Sequence, residues 1–236
     1  MGEYVDLAGI KTWYDTAGEG DPLVLLHGGM VTNDLWGAQM PVFAERFKVL
    51  APERRGHGHT PDVDGPLRYA DMATDTIVFL EVVQGPAHLV GWSDGGIVGL
   101  VVAAARPDLV RKLVAISANA RPAATVTVPE FQAMGETPPG FLGKFFAMVG
   151  SDEPNISPDG LAGIKAPTLI LSGDDDIVTL EHTVELYRAI PGSELAVVPG
   201  TSHVLPMEKP ELVNRIVIDF LENDPPETML PIRRAV

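Results

Sequence analysis

The chain has 236 residues, enough for one medium-sized domain with a modest insertion and too few for two independent ones. Hydrophobic residues make up 45% and charged residues 21%, which supplies a proper core and excludes global disorder. Acidic side chains number 32 against 17 basic ones, a formal net charge of -15 that excludes nucleic acid and disfavours anionic membrane surfaces as partners.

From Tyr4 to Thr16 apolar and polar residues alternate on both sides of Ala8-Gly9, which predicts an antiparallel hairpin at a sheet edge. Leu23 to Leu26 is a continuous apolar run ending in His27-Gly28-Gly29, the pattern of a strand buried on both faces. Phe47 to Ala51 repeats it and stops at Pro52. Met72, Ile77, Leu80 and Val83 recur at helical intervals and predict a helix over Tyr69 to Val83, closed by Gly85-Pro86. A strand over Ala87 to Val90 runs into Gly91-Trp92-Ser93-Asp94-Gly95-Gly96, and Ile97 to Ala105, rich in Val and Ala, reads as a buried helix. Leu113 to Ser117 is a further strand.

Between Ala118 and Ala166 the alternation fails: six prolines are scattered through it, and only Phe141 to Val149 has the look of a short amphipathic helix. Regular patterning returns as a strand over Thr168 to Leu171, a helix over Leu180 to Ala189, a strand over Leu195 to Val198 and a helix over Pro210 to Leu221. The expected class is α/β, a mostly parallel central sheet with helices on both faces and its active site at the carboxyl ends of the strands. Residues 1–117 and 167–236 would form the core and 118–166 an insertion. The N-terminus lacks a basic segment followed by a long apolar one, and no stretch is long enough to span a bilayer, so a cytoplasmic location is expected.

Gly91-Trp92-Ser93-Asp94-Gly95 fits G-x-S-x-G, in which a strand turns sharply into a helix and holds the serine hydroxyl clear of the sheet. The chain has no cysteine, so a thiol nucleophile, disulfides and thiolate metal sites are all excluded. A serine needs a base oriented by a carboxylate, expected downstream as Asp and then His. Asp174-Asp175-Asp176 follows one strand and His203 follows the next.

His27-Gly28-Gly29, Arg55-Gly56-His57-Gly58, Gly91 to Gly96, Pro167 to Asp176 and Gly200 to His203 together resemble the α/β-hydrolase fold family over essentially the whole chain. The GWSDGG elbow is similar to that of bacterial serine esterases of the valacyclovir-hydrolase-like group. The resemblance implies cleavage of a carboxylic ester, lactone or thioester through an acyl-enzyme, with no cofactor and no metal. Ser93, Asp176 and His203 are the implied catalytic residues; the family's G-x-x-D spacing selects Asp176 over its two neighbours. The amides of Gly29 and Asp94 are the implied oxyanion donors. His27 and the Arg55 to Gly58 turn are implied to be structural, and Glu53 departs from the aspartate more usual there.

The same triad also serves cofactor-free haloperoxidases or perhydrolases and C–C bond hydrolases, whereas serine at position 93 argues against dehalogenase and epoxide-hydrolase chemistry. From another class, a non-catalytic small-ligand binding protein could use this scaffold. The insertion stands where the family carries a cap, and its brevity predicts a shallow, open pocket for a small ester-like substrate. Trp36, Phe131, Met134, Phe141, Phe145 and Phe146 are its expected lining. Asp94 is expected to face substrate and favour esters bearing an amino group.

Overall fold

The computed structural model describes residues 2–126, 139–225 and 229. Phe131 and Met134 therefore lie outside the described residues. Eight strands form one sheet in the order β1-β2-β4-β3-β5-β6-β7-β8. They are β1 (Gly2–Leu7), β2 (Ile10–Ala17), β3 (Pro22–Leu26), β4 (Lys48–Pro52), β5 (Ala87–Trp92), β6 (Val110–Ile116), β7 (Thr168–Asp175) and β8 (Glu194–Ser202). The hairpin β1-β2 and the β2-β4 pair are antiparallel; every pairing from β4 through β3, β5, β6 and β7 to β8 is parallel.

The continuous apolar runs have the burial they imply. In β3, Val24 and Leu26 enter one core layer while Leu23 and Leu25 enter the other, all four fully buried. The first layer also holds Met72 and Leu80 of α2 (Tyr69–Val82) and Ile97 and Leu100 of α3 (Asp94–Ala105). On the second layer lie Phe43 of α1 (Met40–Phe43) and Val213, Val217 and Phe220 of the C-terminal helix Pro210–Glu222. The sheet is thus covered on both faces, as the alternation of strands and helices predicts.

Elements too short to show a period escape the sequence reading: the 3-10 turn Asn33–Ala38, α1, α5 (Pro158–Ala162) and α7 (Leu205–Glu208). Helices α4 (Phe141–Val149) and α6 (Leu180–Ala189) have the expected bounds, and the final helix, α8, extends one residue further than expected. Among the described residues no helix is long and apolar enough to cross a membrane.

The parallel strands deliver their next residues to one edge of the sheet. His27 follows β3, Ser93 follows β5, Ser117 follows β6, Asp176 follows β7 and His203 follows β8. Neighbouring strands keep these ends level, since Ser93 N–H donates to the Ile116 carbonyl and Ser117 N–H to that of Leu171, each at 2.8 Å.

Candidate active site

Ser93 sits at φ 54°, ψ −122° between β5 and α3, a conformation costly for a residue with a side chain. The turn is held from both sides: Ser93 N–H is bonded to β6, and its carbonyl accepts the Ile97 N–H at 3.0 Å as the first bond of α3. A Cβ on Gly95 would lie 1.9 Å from the Leu26 carbonyl oxygen, so the helix can start this close to β3 only with glycine there. The amides of Asp94, Gly95 and Gly96 precede that first helical bond.

The structure brings Ser93, His203 and Asp176 together. Ser93 Oγ lies 2.9 Å from His203 Nε2, and His203 Nδ1 lies 2.7 Å from Asp176 Oδ1. A carboxylate only accepts, so Nδ1 carries the proton and Nε2 accepts from the serine hydroxyl. The His203 carbonyl is anchored by the Trp92 indole N–H at 2.6 Å. Asp174 instead accepts the Thr201 N–H at 3.1 Å, and Asp174 and Asp175 are exposed, whereas the Asp176 side chain is fully buried.

Burial alone would raise the Asp176 carboxyl above its usual range. Hydrogen bonds from His203, Ser117 and the Val178 N–H, with the attraction of His203, outweigh it and leave the group below the ordinary carboxylate value. A serine hydroxyl bonded to a neutral imidazole that is oriented in turn by a carboxylate can lose its proton as it attacks an electrophilic carbon.

Ser93 and His203 open onto a cavity of about 660 Å³, roomier than the shallow pocket expected of so short an insertion. Gly29 and Asp94 line it beside them, as do the apolar Met30, Val126, Phe145, Phe146, Val149 and Ile177. Asp94 is buried; its Oδ1 accepts the Tyr69 hydroxyl at 2.7 Å. Burial, and after it the Asp94 charge, push the Tyr69 phenol up. Glu153, also on the lining, accepts the Tyr69 N–H at 3.0 Å.

Two expected lining residues lie elsewhere. Trp36, at 0% exposure, belongs to the second core layer, where the turn capped by Thr32 places it among Phe43, Val213 and Val217 rather than at the cavity. Phe141 packs edge-on against His57 with ring centroids 4.6 Å apart and covers Gly56, one helical turn short of the lining. Glu53 accepts the His59 N–H at 2.5 Å, and Arg55 holds Asp75 of α2 with two bonds of 2.7 Å, so that segment is tied internally. Among the described residues no cluster of His, Asp and Glu could hold a metal ion.

Sequence reasoning did not single out Ser117, which donates to Asp176, or Tyr69, which joins Asp94 to Glu153. Ser117 did carry a signal: it ends a predicted strand at the same sheet edge as Ser93.

A parallel sheet with a serine, a histidine and a carboxylate aligned at its carboxyl edge defines a class of fold and site. Residues 23–216 match the Alpha/beta hydrolase family, and the chain belongs to that family. It is 26% identical to the (E)-2-((N-methylformamido)methylene)succinate hydrolase of Acinetobacter baylyi, over 90% of this chain and 94% of that protein. It is 28% identical to the serine hydrolase BPHL of Mus musculus, over 92% of this chain and 85% of that one. The crystal structure of the enol-lactonase from Burkholderia xenovorans shares the fold, with a TM-score of 0.79 at 23% identity, covering 94% of this chain and all of the other.

Proposed function

We propose that this protein is a serine hydrolase that cleaves carboxylic esters, with lactones and thioesters as related substrates, through an acyl-enzyme. The observation that carries this reading is the pair of contacts at 2.9 Å and 2.7 Å linking Ser93 to His203 and His203 to Asp176. Ser93 Oγ attacks the ester carbonyl while its proton passes to His203 Nε2. The oxyanion of the tetrahedral intermediate faces the amides of Gly29 and Asp94. His203 returns the proton to the leaving alkoxide as the C–O bond breaks. Water, deprotonated by His203, then releases the acid and restores Ser93.

Residues 118–166 act as a cap on a core made of 1–117 and 167–236, and Phe145 and Phe146 present it to the substrate's apolar part. The lining supplies the carboxylates of Asp94 and Glu153 and, among the described residues, neither lysine nor arginine. Small esters that are neutral or carry an amino group suit it better than anionic ones. That the related proteins named above are themselves hydrolases supports the reaction class.

The test is hydrolysis of p-nitrophenyl acetate and butyrate by the parent and by Ser93→Ala, with an active-site-directed fluorophosphonate. Turnover and labelling by the parent, both lost in the variant, are expected. A parent that neither turns over nor is labelled would instead point to a non-catalytic binding protein.

A further inference from the structure

Next to the lining residues Tyr69 and Asp94 lie three buried side chains to which the proposed reaction gives no part: His27, Arg54 and His57. Arg54 is 4% exposed, a costly place for a guanidinium. Burial pulls its pKa down, and Asp94 is the first of the charges that oppose this. Its Nη2 donates to the Gly28 carbonyl at 2.7 Å. His27 Nδ1 lies 2.7 Å from the same oxygen. The Arg54 backbone N–H donates to His27 Nε2 at 3.1 Å, which fixes the tautomer: Nε2 is bare, and Nδ1 carries the proton it gives to Gly28.

That carbonyl belongs to the peptide whose other end is the Gly29 N–H. A trans peptide is planar, with C=O and N–H pointing in opposite directions, so anchoring the oxygen in the buried cluster turns the N–H the other way. Gly29 lines the cavity beside Ser93. Packing favours glycine on both sides of this peptide, because a Cβ on Gly28 would come to 2.3 Å from the Trp92 ring and one on Gly29 to 2.3 Å from that of Phe145, and either ring would have to shift. Two successive glycines leave a peptide plane free to rotate. An external clamp is what such a plane lacks, and two donors on one carbonyl, one of them charged, supply it.

We propose that Arg54 is a positioning residue for the oxyanion site: through the Gly28 carbonyl it fixes the Gly28–Gly29 peptide and polarises it, so that the Gly29 N–H meets the developing oxyanion as a stronger donor. This rests on the reading of Gly29 as an oxyanion donor to a Ser93 adduct.

The test compares the parent with Arg54→Lys, Arg54→Gln and Arg54→Met on p-nitrophenyl butyrate, on the matching thionoester and against an aryl trifluoromethyl ketone. A thionoester develops its charge on sulfur, a weak hydrogen-bond acceptor, and depends little on the oxyanion donors. In Arg54→Met, kcat on the ester falls by about 10- to 100-fold. KM stays within about twofold. The thionoester rate falls much less, ketone affinity falls in step with kcat/KM, and Arg54→Lys recovers part of the loss. An unchanged ester-to-thionoester ratio in a folded Met or Gln variant overturns the proposal, and the Gln variant carries that comparison should the Met variant not fold. Ser93→Ala separates the two levels. Turnover that survives it overturns the reading of the site itself, whereas a dead Ser93→Ala beside Arg54 variants of unchanged ratio overturns the role of Arg54 alone.

Discussion

The Ser117 hydroxyl donates to Asp176 Oδ2 at 2.5 Å, on the carboxylate oxygen that His203 does not use. The carboxylate is thereby held at both ends, with Ser172 Oγ 3.3 Å away as a weaker support. Ser117 also has a φ of 52°, a strained value for a serine. Ser117→Ala is expected to lower kcat about tenfold with little change in KM, the effect of roughly one charge-assisted hydrogen bond. Ser117→Gly loses the same activity yet melts at or above the Ala variant, because glycine accepts the positive φ. Steady-state kinetics beside thermal denaturation checks this, and parent-level kcat in Ser117→Ala would refute it.

Trp36 and Phe146 are expected to behave in opposite ways. Trp36 is a core residue whose buried indole N–H has no hydrogen-bond partner among the described residues, so Trp36→Phe trades lost packing against removal of an unpaired donor. A net cost of about 1–2 kcal/mol follows, with the acyl-chain preference unchanged. Phe146 lines the cavity, so Phe146→Ala makes room and shifts preference toward longer acyl chains, by about 0.8 kcal/mol for each methylene newly buried. Rates across a series of p-nitrophenyl esters separate the two; a shifted preference in Trp36→Phe would count against its placement.

Ser93 and His203 were legible because each stands one residue past a strand whose apolar run shows in the sequence, and within a short pattern tied to a mechanism. Asp176 needed the family spacing, since three aspartates in a row give composition nothing to choose between. The structure separates them by position, Asp174 and Asp175 still in β7 and Asp176 just beyond it. Ser117 depends on β6 lying beside β7, a long-range pairing that no local pattern encodes. Arg54 and Arg55 read alike, but one is sealed beneath Gly28 while the other pairs with Asp75. Phe141 and Phe145 share a helix face, and the rise over the four residues between them, about 6 Å, carries one to His57 and the other to the cavity.

The lining charge makes a further prediction. With Asp94 and Glu153 on the wall, an amino-bearing ester should exceed its carboxylate-bearing counterpart in kcat/KM by about tenfold or more. The ratio should narrow as ionic strength rises, and again in Asp94→Asn and Glu153→Gln. Equal ratios in the parent and both variants would remove these carboxylates from substrate selection.

Acid stability should carry the signature of buried neutral histidines. His88, near the start of β5, packs against Phe47 at 5.8 Å between centroids and is not among the cavity-lining residues. Burial first, and then Arg111 and Lys112 against the opposing Asp21, lower its pKa from 6.5 to about 4. His57 is held at about 3, by burial and by Arg54. Between 6.5 and about 4 the unfolded chain binds a proton at position 88 that the folded chain does not, so stability falls as pH drops through that window. Below about 4 the folded chain takes up the proton too and the His88 contribution levels off. Each such histidine contributes a slope of about 1.4 kcal/mol per pH unit within its window. Urea denaturation of the parent and His88→Gln across the window should show the variant's stability falling less steeply by about that slope, with activity at neutral pH unchanged. Parallel stability curves would show that His88 is protonated equally in both states and is not held neutral by the fold.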